Sequence, residues 1–187
     1  MASISKGKKN MKEVFVNWYD IERHTHNIIQ QIILDNWRPD YVVGITRGGL
    51  LPAVLISQYF KIPCETLKVS LRDGGECESN CWMAEDAFGY ILGDTLKYDT
   101  SIAKNILIVD DINDSGATIN WIRQDWQGSC LSDDPRWADV WGNNVRIATI
   151  VDNESSNNEV PVSYTAMTVN KHEDPQWIVF PWEEWWK

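Results

Sequence analysis

The run "ILIVDDINDSGATIN", Ile106 to Asn120, sets the fold of this chain. The apolar residues Ile106–Val109 lead directly into Asp110 and Asp111. A third aspartate, Asp114, follows, and then the small residues Ser115, Gly116, Ala117 and Thr118. A short apolar run ending in a turn signal reads as a buried strand, and the residues beyond it read as a helix start. Two adjacent acids at the end of such a strand repel each other and are costly to desolvate. In open parallel sheets, ligands sit beyond the carboxyl ends of the strands. A helix N-terminus with small side chains is an anion site. The run thus offers acceptors for sugar hydroxyls or a divalent cation beside a cradle for a phosphate, and a sugar phosphate satisfies both. The plainer alternative is a strand-to-helix turn capped by Asp114, but capping leaves the pair before it unexplained.

Working outward, the pattern alternates between strands and helices. Asp20 is a candidate cap for a helix in "DIERHTHNIIQQIILDNW", where Ile21, Ile28, Ile32 and Ile33 share a face. His24 and His26 face opposite ways on it and are expected on the solvent side. "YVVGI" (41–45) reads as a buried strand, "LLPAVLISQYF" (50–60) as an apolar helix with Pro52 in its first turn, and "CETLKVS" as another strand. "ATINWIRQDW" is the helix after the decisive strand. "VRIATIV", "YTAMTV" and "WIVF" complete the strands. Such alternation predicts an α/β fold with a mainly parallel twisted sheet flanked by helices. Two stretches break the pattern. Residues 71–104 lack clear periodicity and read as a lid or binding loop. Residues 127–144 read as an inserted surface segment. The linker "DNESSNNEVP" reads as polar and exposed.

Composition bounds the function. The chain has 187 residues, enough for one domain with a real core. Its formal net charge of -10 argues against nucleic acid as a partner. Cys64, Cys77, Cys81 and Cys130 form no disulfide framework, so reduced thiols and a cytoplasmic location are expected. Cys77 and Cys81 could be half a zinc site, but no second ligand pair follows. No apolar run approaches the roughly twenty residues of a membrane span, so no membrane partner is expected. Residues 1–12 lack the apolar core of a secretory signal and read as a disordered or appended tail, with one domain over 13–187. Eleven tryptophans, several in "WIVFPWEEWWK", are expected in the core or at a subunit interface.

The apolar strand, acidic pair and "DSGAT" resemble the diphosphate-sugar motif of the type I phosphoribosyltransferases. A second match lies in "VGITRGGLLPAVLISQ", which is similar to the family's pyrophosphate loop, above all in its purine-using branch. Arg47 supplies fixed positive charge for phosphate oxygens, and Gly48 and Gly49 permit close approach. The third match is C-terminal. "WIVFPWE" resembles the base-binding hood of the xanthine-guanine and related purine enzymes. Together the matches span about Tyr41 to Glu183, in family order.

The resemblance implies a type I phosphoribosyltransferase fold, with a flexible lid over 71–104 and a hood over about 152–187. It implies transfer of 5-phosphoribose from 5-phosphoribosyl 1-diphosphate to a free nucleobase, with Mg²⁺ as cofactor. Asp114 would be the catalytic base. Asp110, Asp111, Asp114, Ser115, Gly116, Ala117 and Thr118 would bind the sugar diphosphate, and Arg47, Gly48 and Gly49 its pyrophosphate. Trp177 would stack on the base and Ile178 would read its edge through the backbone. Asp110, Asp111 and Glu183 would face the metal. Relatives often carry a non-proline cis peptide at the position of Thr46-Arg47, and are commonly homodimers or homotetramers. One departure bears on the base. Purine members place in the hood a lysine that donates to the 6-oxo group, and here Asn153 stands at that position, as a base reader or simple loop. Lys171 lies further on. A purine is the expected base. A pyrimidine-type enzyme and a non-catalytic nucleotide-binding regulator on the same fold are the alternatives.

Overall fold

The computed structural model describes residues 11–71, 77, 80–91, 97–183, 185 and 186. In chain order these form β1 (Lys12–Phe15), α1 (Trp18–Leu34), β2 (Tyr41–Thr46), α2 (Leu50–Phe60), β3 (Cys64–Lys68), α3 (Cys81–Phe88), β4 (Tyr90–Ile91), β5 (Lys97–Tyr98), β6 (Ile106–Asn113), α4 (Ala117–Ser129), β7 (Val145–Asn153), β8 (Tyr164–Val169) and β9 (Gln176–Val179). The central sheet has the order β3-β2-β6-β7-β8. Every pairing within it is parallel. Of the expected tail, residues 1–10 lie outside the described part, but Lys12 is already in β1, which pairs in parallel with β9. The start of the described chain is thereby tied to the hood.

Both faces of the sheet are buried, which is why its strands read as near-continuous apolar runs. Side chains alternate between two cores. Val43, Ile45, Ile106, Ile108 and Ile147 pack with α3 and α4. Val42, Leu107, Val109, Ala148 and Ile150 pack with α1 and α2 on the other face. The helix after β2 and the helix after β6 therefore leave adjacent strands toward opposite faces. Their divergence opens a crevice at the carboxyl ends of β2 and β6, the switch point where ligands bind in such sheets.

Several local expectations change. Asn17, not Asp20, caps α1. Its side chain accepts from Asp20 N at 2.9 Å, and Asp20 Oδ2 accepts from Asn17 N at 3.1 Å. This reciprocal box leaves Asp20 inside the first turn. His24 is buried, and burial lowers its pKa; His26 is exposed. The segment expected to be a lid loop contains α3, whose Met83, Ala84, Ala87 and Phe88 are core residues. Residues 72–76, 78–79 and 92–96 of that segment lie outside the described part.

Residues 127–144 do not form a surface insertion. They hold a 3-10 turn, Pro135–Asp139, that drives Trp137 against Phe88, with ring centroids 4.9 Å apart. Trp137 donates its indole N–H to Cys130 O at 2.8 Å. Trp126 is fully enclosed and packs on Trp141 at 5.7 Å. The polar spelling of this stretch hides one anchoring aromatic whose only polar atom is satisfied. By contrast Trp185 and Trp186 are 73% and 65% exposed, so they are not core.

Trp137→Ala should cost about 3–5 kcal/mol of unfolding free energy, measured by urea denaturation, as for other large-to-small changes in cores. A loss below about 1 kcal/mol would return this segment to the surface.

Candidate active site

The crevice is a cavity of about 1380 Å³. Its walls include Arg47 and Gly48 after β2, Lys68 at the end of β3, Asp110 and Asp111 in β6, and Asp114–Thr118 at the start of α4. Two motifs far apart in sequence thus meet at one site, because β2 and β6 are neighbours. The peptide between Thr46 and Arg47 is cis.

The acidic pair is enclosed. Asp111 N donates to Asp110 Oδ1 at 2.9 Å, and Ile112 N donates to Asp111 Oδ1 at 2.9 Å. Burial raises the Asp110 carboxyl well above the usual range, and the Asp111 charge adds to this. Burial also raises Asp111, against hydrogen bonds that favour its charged form, one of them from the Trp182 side chain. A Cβ on Gly48 would lie 1.9 Å from Asp111 Oδ2, so glycine is needed for the arginine turn to lie against the acid. Across the strand pair, Asp110 faces Thr149. The Thr149 hydroxyl is fully buried at the cavity wall and has no hydrogen-bond partner. Such an orphan calls for a ligand or water.

The start of α4 is held by contacts that the sequence pattern does not reveal. Gly116 precedes α4 with φ +85°, and no side chain caps the helix, so Asp114 is not a cap. Of the first-turn N–H groups, that of Ala117 makes a long contact to Ser115 Oγ at 3.4 Å, which an anion could replace. The linker is exposed at Glu154, Ser155, Asn157, Glu159 and Pro161, as expected, and it also braces the start of α4. Asn157 N donates to Ser115 O at 3.1 Å, and Asn120 Nδ2 donates to Asn157 O at 2.8 Å. The buried Asn113 side chain donates to Asp152 Oδ1 at 2.8 Å and Ser156 Oγ at 2.9 Å.

The family model for the phosphoribosyl transferase domain matches residues 14–187. The chain belongs to this family. A xanthine-guanine phosphoribosyltransferase of Cereibacter sphaeroides is 28% identical over 178 residues, covering 92% of this chain and 87% of that protein. Xanthine phosphoribosyltransferase 1 of Saccharomyces cerevisiae is 24% identical over a 127-residue alignment, with coverage of 59% of this chain and 58% of the yeast protein. Among solved structures, a purine phosphoribosyltransferase from Pyrococcus horikoshii superposes with a TM-score of 0.58 at 21% identity, covering 92% of this chain and 95% of that one. A Helicobacter pylori xanthine-guanine-hypoxanthine phosphoribosyltransferase gives 0.59 at 16% identity, with coverage of 91% and 93%. The described architecture is the type I phosphoribosyltransferase fold.

The expected site residues of this family member divide into two groups. Arg47, Gly48, Asp110, Asp111, Asp114, Ser115, Gly116, Ala117, Thr118 and Glu183 all line the cavity. Gly49, Asn153, Trp177 and Ile178 do not. Gly49 packs against β6, where a Cβ would lie 2.2 Å from Val109 O. Ile178 is buried in the α1 and α2 core. Asn153 is buried, and its amide is spent on protein partners: Nδ2 donates to Asp114 O at 2.7 Å, and Oδ1 accepts from Lys171 N at 3.0 Å. Among the described residues no three His, Cys, Asp or Glu side chains converge as a group that could hold a metal ion.

Two residues went unread as site components. Trp182 lines the cavity and stacks on Phe180, centroids 5.0 Å apart and planes 6° apart. Lys171 ion-pairs with Asp114, Nζ to Oδ1 2.8 Å. The signal for Lys171 lay in register: Asn153 pairs with Val169 across β7 and β8, which puts Lys171 just past the same sheet edge.

The raised Asp110 carboxyl has a measurable consequence for the ligand-free protein. A carboxyl raised on folding contributes stability below the ordinary carboxylate range, and this is lost as pH rises through the folded value. Asp110→Asn should therefore raise unfolding free energy by about 1–3 kcal/mol where the wild-type carboxyl is ionised, and flatten its fall as pH rises above the ordinary carboxylate range. Denaturation of both proteins across that rise in pH is the measurement. An unchanged slope would mean that no desolvation cost resides at Asp110.

Proposed function

We propose that the protein is a phosphoribosyltransferase that moves 5-phosphoribose from 5-phosphoribosyl 1-diphosphate to a purine base carrying a 6-oxo group. The products would be the nucleoside 5'-monophosphate and pyrophosphate. The observation that carries this reading is the meeting, in one cavity, of an arginine-glycine turn, a buried acidic pair and an uncapped helix start. Those three features match the three parts of the donor: its diphosphate, its ribose hydroxyls and its 5-phosphate. The names of the relatives support a purine as acceptor.

Each group has a task set by charge. The N–H groups at the start of α4, with Ser115 and Thr118, would hold the 5-phosphate. Asp110 and Asp111 would accept hydrogen bonds from the ribose hydroxyls. As the anomeric C–O bond breaks, negative charge grows on the departing pyrophosphate, and Arg47 and the loop N–H groups would stabilise it. Asp114 would take the proton from the base nitrogen that attacks the anomeric carbon.

Mg²⁺ fits the acidic pair. Two adjacent enclosed carboxyls, both raised by burial, gain from a divalent charge, and Mg²⁺ is commonly held by one or two carboxylates plus substrate phosphates rather than by a full protein cage. Bound there through Asp110 and Asp111, it would neutralise diphosphate charge. Glu183, at the same cavity, is a further candidate to face it. The exposed Phe15, Trp18, Trp185 and Trp186 favour a homodimer or homotetramer, and four free thiols favour the cytoplasm.

Pyrophosphate release should be seen with 5-phosphoribosyl 1-diphosphate, Mg²⁺ and guanine, xanthine or hypoxanthine, and be far weaker with adenine, uracil or orotate. Release with none of them would favour a non-catalytic nucleotide sensor. Release with orotate or uracil alone would favour a pyrimidine enzyme. Asp114→Asn should keep donor binding and lower kcat by about a hundredfold or more, and an unchanged kcat would remove it as the base. Arg47→Ala should raise the KM for the donor about tenfold or more, with a smaller effect on the KM for the base.

A further inference from the structure

The two acids of the pair are held differently, because successive side chains in a strand point to opposite faces. Asp111 accepts from the Trp182 side chain, which packs on the α1 and α2 core. Asp110 faces the other way. Ile108 and Ile147, two residues earlier in β6 and β7, are buried in the core beneath α3 and α4, and Asp110 pairs with Thr149 in the same register. Both side chains therefore share that face, and both residues line the cavity. Thr149 is fully buried, yet its hydroxyl has no hydrogen-bond partner. The side chains that belong both to this core and to the cavity wall are Ile45, Val69 and Ile119, none of which can donate or accept. A buried hydroxyl without a partner is destabilising, and valine has the same branched shape without it. The ligand-free fold thus gives threonine no advantage at this position.

We propose that Thr149 is a positioning residue for Asp110: its hydroxyl, idle in the ligand-free protein, donates to the Asp110 carboxylate when the sugar diphosphate is bound. This rests on the phosphoribosyltransferase reading above and deepens it. Without ligand, Asp110 Oδ1 accepts from Asp111 N at 2.9 Å. A carboxylate has room for roughly four hydrogen bonds, so this contact leaves most of its capacity unused. A bound donor covers the carboxylate and excludes water, and the remaining hydrogen bonds must then come from fixed groups. Thr149 stands directly across the strand pair, at the usual interstrand spacing of about 5 Å. Rotation about side-chain bonds is enough to bring the hydroxyl to the carboxylate. A neutral donor suits the task better than a cation. Lysine or arginine there would neutralise the acid and compete with a divalent metal, whereas a hydroxyl fixes its orientation and leaves its charge to the ligand. A carboxylate that orients a sugar must itself be locked by a second contact. Thr149 acts through Asp110 and does not touch the substrate.

The test compares the full-length wild type with Thr149→Val, which keeps the shape and removes the hydroxyl, and with Thr149→Ser, which keeps the hydroxyl. Urea denaturation is measured without ligand. Calorimetry measures binding of 5-phosphoribosyl 1-diphosphate with Mg²⁺ and no base. Thr149→Val should unfold at a urea midpoint equal to the wild type's or up to about 1 M above it. It should bind the donor about ten- to a hundredfold more weakly, the range expected for losing a hydrogen bond to a charged group. Thr149→Ser should bind within about threefold of the wild type, since it retains that bond. In an Asp110→Ala background, Thr149→Val should weaken donor binding by less than about threefold, because its partner is already gone. Unchanged donor affinity in Thr149→Val would overturn the proposal. So would a lowered urea midpoint in Thr149→Val together with an equal loss of donor affinity in Thr149→Ser, the mark of a packing residue. Should Thr149→Val fail to fold, Thr149→Ala also lacks the hydroxyl and is set against Thr149→Ser; equal donor affinities of those two overturn the proposal. A wild type that binds no donor would sink the phosphoribosyltransferase reading and this proposal with it. A wild type that binds the donor beside an unaffected valine variant sinks the proposal alone.

Discussion

The structure depends on keeping two carboxylates of like charge side by side at the closed end of a buried strand. Burial raises both Asp110 and Asp111, so enclosing them in their charged form costs the ligand-free protein free energy. Backbone N–H groups of Asp111 and Ile112 offset part of it. The rest is tolerated because β6 is the middle strand of a five-stranded sheet with apolar cores on both faces. Strain of this kind persists where the surrounding fold over-determines it, and such places tend to be functional.

Around that pair, the site is assembled from pieces that lock one another. The arginine turn lies against Asp111 through Gly48, with no room for a side chain. The start of α4 is braced by the stretch after β7 through Ser115 and Asn120. Asn113, buried at the end of β6, holds the base of that stretch. The start of α4, the end of β6 and the stretch after β7 are therefore joined by hydrogen bonds.

The tryptophans separate by the same logic. Trp126 and Trp137 seal the end of the core beyond α4, where polar-looking chain returns to the sheet. Trp182 turns instead toward the cavity, stacked on Phe180 and reaching Asp111. Trp185 and Trp186 remain largely in solvent. Residue type alone does not distinguish these roles, since a large ring with one donor suits a core, a site wall or an interface.

Sequence by itself determined the strand-helix alternation, the parallel sheet and most of the residues that line the cavity, because these rest on local pattern: apolar runs, glycines beside an arginine, acids before a helix start. It also placed the cis peptide at Thr46-Arg47 through likeness to a family. Only the tertiary structure decided which polar side chains are free to act. Asn153 occupies the expected position but is consumed by backbone partners, while Lys171, eighteen residues on, reaches Asp114. The reason is physical. Strand register and the burial of a single amide choose between them, and both are set by contacts between β7 and β8 that no local pattern encodes.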